Sequence, residues 1–101
     1  MFFDKYEQLS EDAQRLLCFY VDTGLGSNKR MDEHIYLLGH YCFTAFDGTA
    51  ALEELLQKGI FKQEGKDWYS NMPRYSVNAD DIVPTLWYLY ECRKDLLLAF
   101  Q

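Results

Sequence analysis

Leu52-Glu53-Glu54-Leu55-Leu56-Gln57-Lys58-Gly59-Ile60-Phe61 holds the transition on which the fold turns. Leucines three and four apart form the inward stripe of a helix, here Leu52, Leu55 and Leu56. Gly59 then stands where a helix closes on a left-handed residue. Beyond it the period shortens. Ile60 to Glu64 and Trp68 to Asn71 are rich in strand formers, with Gly65-Lys66-Asp67 between them reading as a three-residue hairpin turn.

Working back toward the N-terminus, Asp47-Gly48-Thr49 opens this helix, after a short apolar connection from Cys42 to Phe46. A second helix is predicted over about 30–41, with Ile35 and Leu38 inward and Gly39 weakening its end. The loop Thr23-Gly24-Leu25-Gly26-Ser27-Asn28 precedes it. The first helix is predicted over about 10–23, capped by Ser10, carrying Glu11 and Asp12 in its first turn, with Ala13, Leu16, Leu17, Tyr20 and Val21 as its stripe.

Toward the C-terminus, Pro73 breaks the pattern, and Tyr75 to Val77 is a further short strand with Tyr75 and Val77 on one face. A long closing helix is predicted from about 80 to 101, with Asn78 or Asp80 as cap and Pro84 tolerated in its first turn. Its inward stripe reads as Val83, Leu86, Leu89 or Tyr90, the stem of Arg93, Leu97 and Phe100. The fold class is therefore α+β, mainly α: a three-helix core with a small antiparallel hairpin of two or three strands and a long C-terminal helix. One domain over 1–101 is expected, with its core over about 9–78.

The chain of 101 residues is 49% apolar and 17% aromatic, enough for a real core. Cys18, Cys42 and Cys92 are odd in number and far apart, so they suggest neither a disulfide framework nor a zinc site. The N-terminus lacks the basic and apolar regions of a secretory signal, which points to a cytoplasmic protein. The longest strongly apolar run, Leu96 to Phe100, is far short of a membrane span. Sixteen acids against ten bases leave a net charge of −6, the wrong sign for a surface that neutralises phosphates.

Three helices, a strand pair entered through the third helix's glycine, and a closing helix resemble the winged helix-turn-helix superfamily. Leu9-Ser10-Glu11-Asp12-Ala13-Gln14-Arg15-Leu16-Leu17 resembles that superfamily's first helix, and Leu52 to Phe61 its passage from third helix to wing. The resemblance covers about residues 9–78, with the last helix as an appendage. It implies a third helix entering a DNA major groove and a hairpin touching the backbone. Here that helix turns Asp47, Thr49, Glu53, Glu54, Gln57 and Lys58 outward, three acids against one base, so the scaffold carries over and the DNA contact does not. The superfamily also includes protein-protein adaptors and accessory domains at the N-termini of large bacterial nucleic-acid-processing proteins such as helicases, which an uncapped final helix fits.

No catalytic constellation is present in the sequence. His34 and His40 lie six apart on one predicted helix, without partner ligands at metal spacing, and no serine or cysteine sits in a nucleophile pattern. Gly24-Leu25-Gly26 lacks the lysine and the preceding strand of a phosphate cradle. No enzyme activity, cofactor or metal is expected. The expected function is a non-catalytic interaction module that binds a protein partner or a second copy through the last helix, at Trp87, Tyr90, Leu96, Leu97, Leu98 and Phe100. Five apolar residues in succession cannot all face one way on a 3.6-residue period. Leu86 to Tyr90 also read as core. The alternative is a DNA-binding or helicase-accessory module using Lys29, Arg30, Lys62, Lys66, Trp68 and Arg74, where bases and aromatics interleave. Against that reading, Trp68 or Tyr69 closes the core over the third helix and the lysines guard strand edges, with Trp68 left open between core and exposed wing.

Overall fold

The computed structural model describes residues 3–21, 46–66, 69, 71 and 73–99. The predicted second helix, with Lys29, Arg30, His34, His40 and Cys42, lies outside the described residues, as do Trp68 and Phe100. In chain order the elements are α1 Asp4–Glu7, α2 Glu11–Phe19, α3 Gly48–Gln57, β1 Phe61–Lys66, β2 Pro73–Val77, α4 Ala79–Cys92 and α5 Lys94–Ala99. The protein is α+β and mainly α, with one two-stranded antiparallel sheet among the described residues. The one-turn helix α1 was not anticipated. It buries a single residue, Tyr6.

Ser10 caps α2 as expected, its Oγ accepting from the amide of Ala13 at 3.2 Å. From Leu16 to Val21 every residue is buried, so α2 is the central helix and not a surface one. Its first turn also docks α3. Ser10 donates its own amide to Glu54 Oε2 at 2.8 Å, and Asp12 Oδ2 accepts from the Asp47 amide at 3.1 Å. Asp47 in turn caps α3, accepting from the Ala50 amide at 3.0 Å. Two acids expected to face solvent on the third helix, Asp47 and Glu54, thus satisfy orphan amides at helix starts.

Gly59 has φ +74°, and a Cβ placed there meets nothing within 4 Å, so its need is conformational. The amide of Ile60 donates to Leu55 O and that of Gly59 to Leu56 O, the paired bonds of a Schellman close. This delivers Ile60 and Phe61 into the core, where Phe61 meets Tyr20 at a ring separation of 5.0 Å.

The hairpin differs from expectation. β1 continues through Lys66, and the register runs Phe61↔Val77, Gln63↔Tyr75 and Lys66↔Pro73. Pro73 opens β2, where the amide it lacks is least missed. Gly65, with φ +79°, supplies a bulge between Gln63 and Lys66 and not the turn. Tyr69 and Asn71 are not strand, and Asn71 has φ 60°, so the strand predicted over 68–71 is corrected at these positions.

The closing helix is not continuous. Arg93, at φ −135° and ψ 50°, separates α4 from α5. Asn78 caps α4 through its side chain and also donates to Gly59 O at 3.3 Å, tying the start of α4 to the end of α3. Because α4 starts at Ala79, Pro84 lies in its second turn and removes one intrahelical bond. The inward side of α4 is Asp81, Thr85, Tyr88 and Leu89, whereas Val83, expected inward, is 62% exposed.

Candidate interaction surface

At 100° per residue, Asp81, Thr85 and Tyr88 share one side of α4, and Val83, Trp87 and Tyr90 share the opposite side with the same i, i+4, i+7 spacing. Which side turns inward is settled by polar contacts. Asp81, 3% exposed, accepts at Oδ1 from Tyr6 Oη and from Lys5 Nζ, each at 2.8 Å. Burial, reinforced by the neighbouring Asp81 carboxylate, pushes the Tyr6 phenol up to about 12. A weaker opposing influence comes from Thr85, whose fully buried hydroxyl makes no hydrogen bond of good geometry among the described residues. Tyr88 lies within 5.8 Å of the Tyr6 ring and 5.7 Å of the Phe3 ring, and donates to Gln14 Oε1 at 2.8 Å.

Gln14 joins this network to the break in the helix. It donates to Leu9 O at 3.1 Å and accepts at Oε1 from Arg93 Nη1 at 2.7 Å. Arg93 also reaches both oxygens of Glu11, at 2.6 and 3.0 Å, and both oxygens of Asp95, at 2.9 and 3.0 Å. That engages all five donors of the guanidinium. These bonds hold Glu11 and Asp95 below the usual carboxylate range and Arg93 above its own.

With α4 fixed in this rotation, Val83, Trp87 and Tyr90 are left 62%, 61% and 60% exposed. They form an apolar stripe with Asp80 and Glu91, both exposed, at its two ends. Of the residues predicted to form the partner face, Trp87, Tyr90 and Leu98 are exposed. Leu96 and Leu97 are not. The turn at Arg93 folds α5 back against α2, and both side chains are buried in the core. The placement of Trp87 and Tyr90 also corrects the reading of Leu86 to Tyr90 as core throughout. Only Tyr88 and Leu89 are buried there, with Leu86 half-buried. Val83 is the surface residue that sequence reasoning missed. Its spacing to Trp87 and Tyr90 was visible, but not the side it occupied.

The residues proposed for nucleic acid are dispersed in their roles. Lys62 Nζ pairs with Glu64 Oε1 at 3.2 Å, and Ser76 Oγ donates to the same oxygen. Glu64, lowered chiefly by its bond to Lys62, thus offsets the first basic residue of the hairpin. Lys66 is exposed and Arg74 half-buried. Among the described residues, no cluster of three His, Cys, Asp or Glu side chains is placed to hold a metal ion, and no helix is long and apolar enough to cross a membrane. Cys18 is buried and Cys92 exposed, neither in a disulfide. The chain matches no family model, no curated protein and no solved structure.

Proposed function

We propose that this chain is a non-catalytic winged-helix interaction module, working within a larger assembly, whose α4 face makes protein-protein contacts or mediates self-association. One observation carries this reading: Val83, Trp87 and Tyr90 lie more than half exposed at helical spacing, on a helix whose opposite face is buried. Two aromatic residues side by side on a surface are the kind of anchor that dominates interfaces. The winged-helix assignment is supported by the order of helix α3, glycine close, strand pair and following helix.

The test is a Trp87→Ser/Tyr90→Ser double variant, followed by thermal unfolding and sedimentation equilibrium. Side chains held on a surface for contact contribute little to the fold, so the melting temperature is expected to stay within about 3 °C of the parent. A drop of 10 °C or more makes the stripe part of the core and ends the proposal. A parent mass that rises with concentration, and a variant that stays monomeric, identifies self-association as the contact.

A further inference from the structure

We infer that the α4 stripe receives a basic amphipathic helix from a partner protein, with apolar anchors over Val83, Trp87 and Tyr90 and lysine or arginine at both ends. This rests on the reading of α4 as a contact surface and names what the surface takes.

α4 contains three acids and no base: Asp81 is buried and held by Tyr6 and Lys5, while Asp80 and Glu91 are exposed. Asp80 lies one turn before Val83, and Glu91 one turn after Trp87, so the apolar stripe is closed by a carboxylate at each end. Arg93, directly after α4, is taken up by the carboxylates of Glu11 and Asp95, and Arg15 by those of Glu11 and Asp12. Lys94, exposed beyond the break, offsets one charge at that end.

A second copy fits poorly. Antiparallel pairing of two stripes sets Asp80 of each copy toward Glu91 of the other, and parallel pairing sets like residue against like. Each copy also brings a net charge of −6. A partner with cations flanking its anchors turns both ends into attractive contacts, and such charges select partners by rejecting the wrong sign.

A fully buried aromatic residue covers about 150–250 Å². With roughly three fifths of Trp87, Tyr90 and Val83 exposed, the stripe offers on the order of 300 Å². A stable dimer of standard size buries about 800 Å² on each partner. The stripe is short of that and matches a single helix laid along it, read through anchors at i, i+4 and i+7.

The experiment titrates the labelled full chain with a synthetic amphipathic helical peptide carrying leucines at i, i+4 and i+7 flanked by lysines. In parallel it uses an otherwise identical peptide flanked by glutamates. The lysine peptide is expected to shift the amides of Val83, Trp87 and Tyr90 and to bind at least about tenfold more tightly than its twin. Asp80→Lys/Glu91→Lys should reverse the preference. Glu91→Lys alone, which leaves the first turn of α4 untouched, should narrow it and serves if the double variant does not fold. Equal binding of the two peptides overturns the charge inference and leaves the contact surface standing. Binding of neither peptide, with a Trp87-dependent doubling of mass, overturns it in favour of a second copy. Binding of neither with no self-association removes both the inference and the surface.

Discussion

Arg93 Nη2 donates to Glu11 Oε1 at 2.6 Å, joining positions 82 apart in sequence and anchoring the break between α4 and α5 to the first turn of α2. The contact decides where α5 goes, and hence that Leu96 and Leu97 enter the core. Arg93→Ala should lower stability by about 1–2 kcal/mol, discounted because Glu11 and Asp95 are half-exposed or more. Arg93→Lys should recover little of it, since a point charge cannot serve two carboxylates in fork geometry. Denaturant midpoints at constant slope would check this, and full rescue by lysine would show that charge alone matters.

The same cluster gives the acid limb of the stability curve. Glu11 and Asp95 are both lowered in the folded state, chiefly by their bonds to Arg93. Their contribution is present above their unfolded values, near pH 4, and is lost as pH falls through the folded ones. Arg93→Ala should therefore flatten stability measured between about pH 5 and pH 2. An unchanged acid limb would place the acid sensitivity elsewhere.

Tyr6 governs the alkaline side. Its phenol is raised to about 12, so its contribution is complete below pH 10 and disappears as pH rises toward 12. A shift of this size corresponds to roughly 2–3 kcal/mol, and the ring is almost fully buried. Burial raises Tyr20 and Tyr88 with the same sign. Tyr6→Phe should cost about 1–2 kcal/mol at pH 7 through the lost bond to Asp81, while making the alkaline decline shallower. Equally steep alkaline unfolding in the variant would exclude Tyr6 as its source.

Thr85 offers a stabilising substitution. Its hydroxyl is fully buried without a hydrogen bond among the described residues, so Thr85→Val, of similar shape, should be neutral or gain up to about 1 kcal/mol. A loss of more than that on thermal or chemical unfolding would mean that the hydroxyl has a partner in solution, such as Tyr6.

The three leucines of α5 should separate cleanly. Leu96→Ala and Leu97→Ala each remove a buried side chain and should cost about 2–4 kcal/mol. Leu98→Ala, at a position 66% exposed, should stay within about 0.5 kcal/mol of the parent. Comparable losses at all three positions would mean that α5 has a second covering.

By itself the sequence determined what local chemistry controls. Ser10, and Asn78 of the two caps open for α4, reach amides two or three residues ahead, and Gly59 closes a helix through its own backbone freedom. Such features need no information from distant residues, so the starts of α2 and β1, the span of α3 and the α+β class were legible, whereas the end of β1 was not, because Gly65 serves a bulge and not the turn. The face of α4 was not. Two stripes of equal spacing lie opposite each other, and hydropathy favours burying Val83 over Asp81. Tertiary structure chose the polar side, because Tyr6 and Lys5, 75 and 76 positions away, supply the hydrogen bonds that make burying a carboxylate tolerable. The break at Arg93 was hidden for the same reason. No glycine or proline marks it, and it is held by Glu11 and Gln14, which only the folded chain brings to hand.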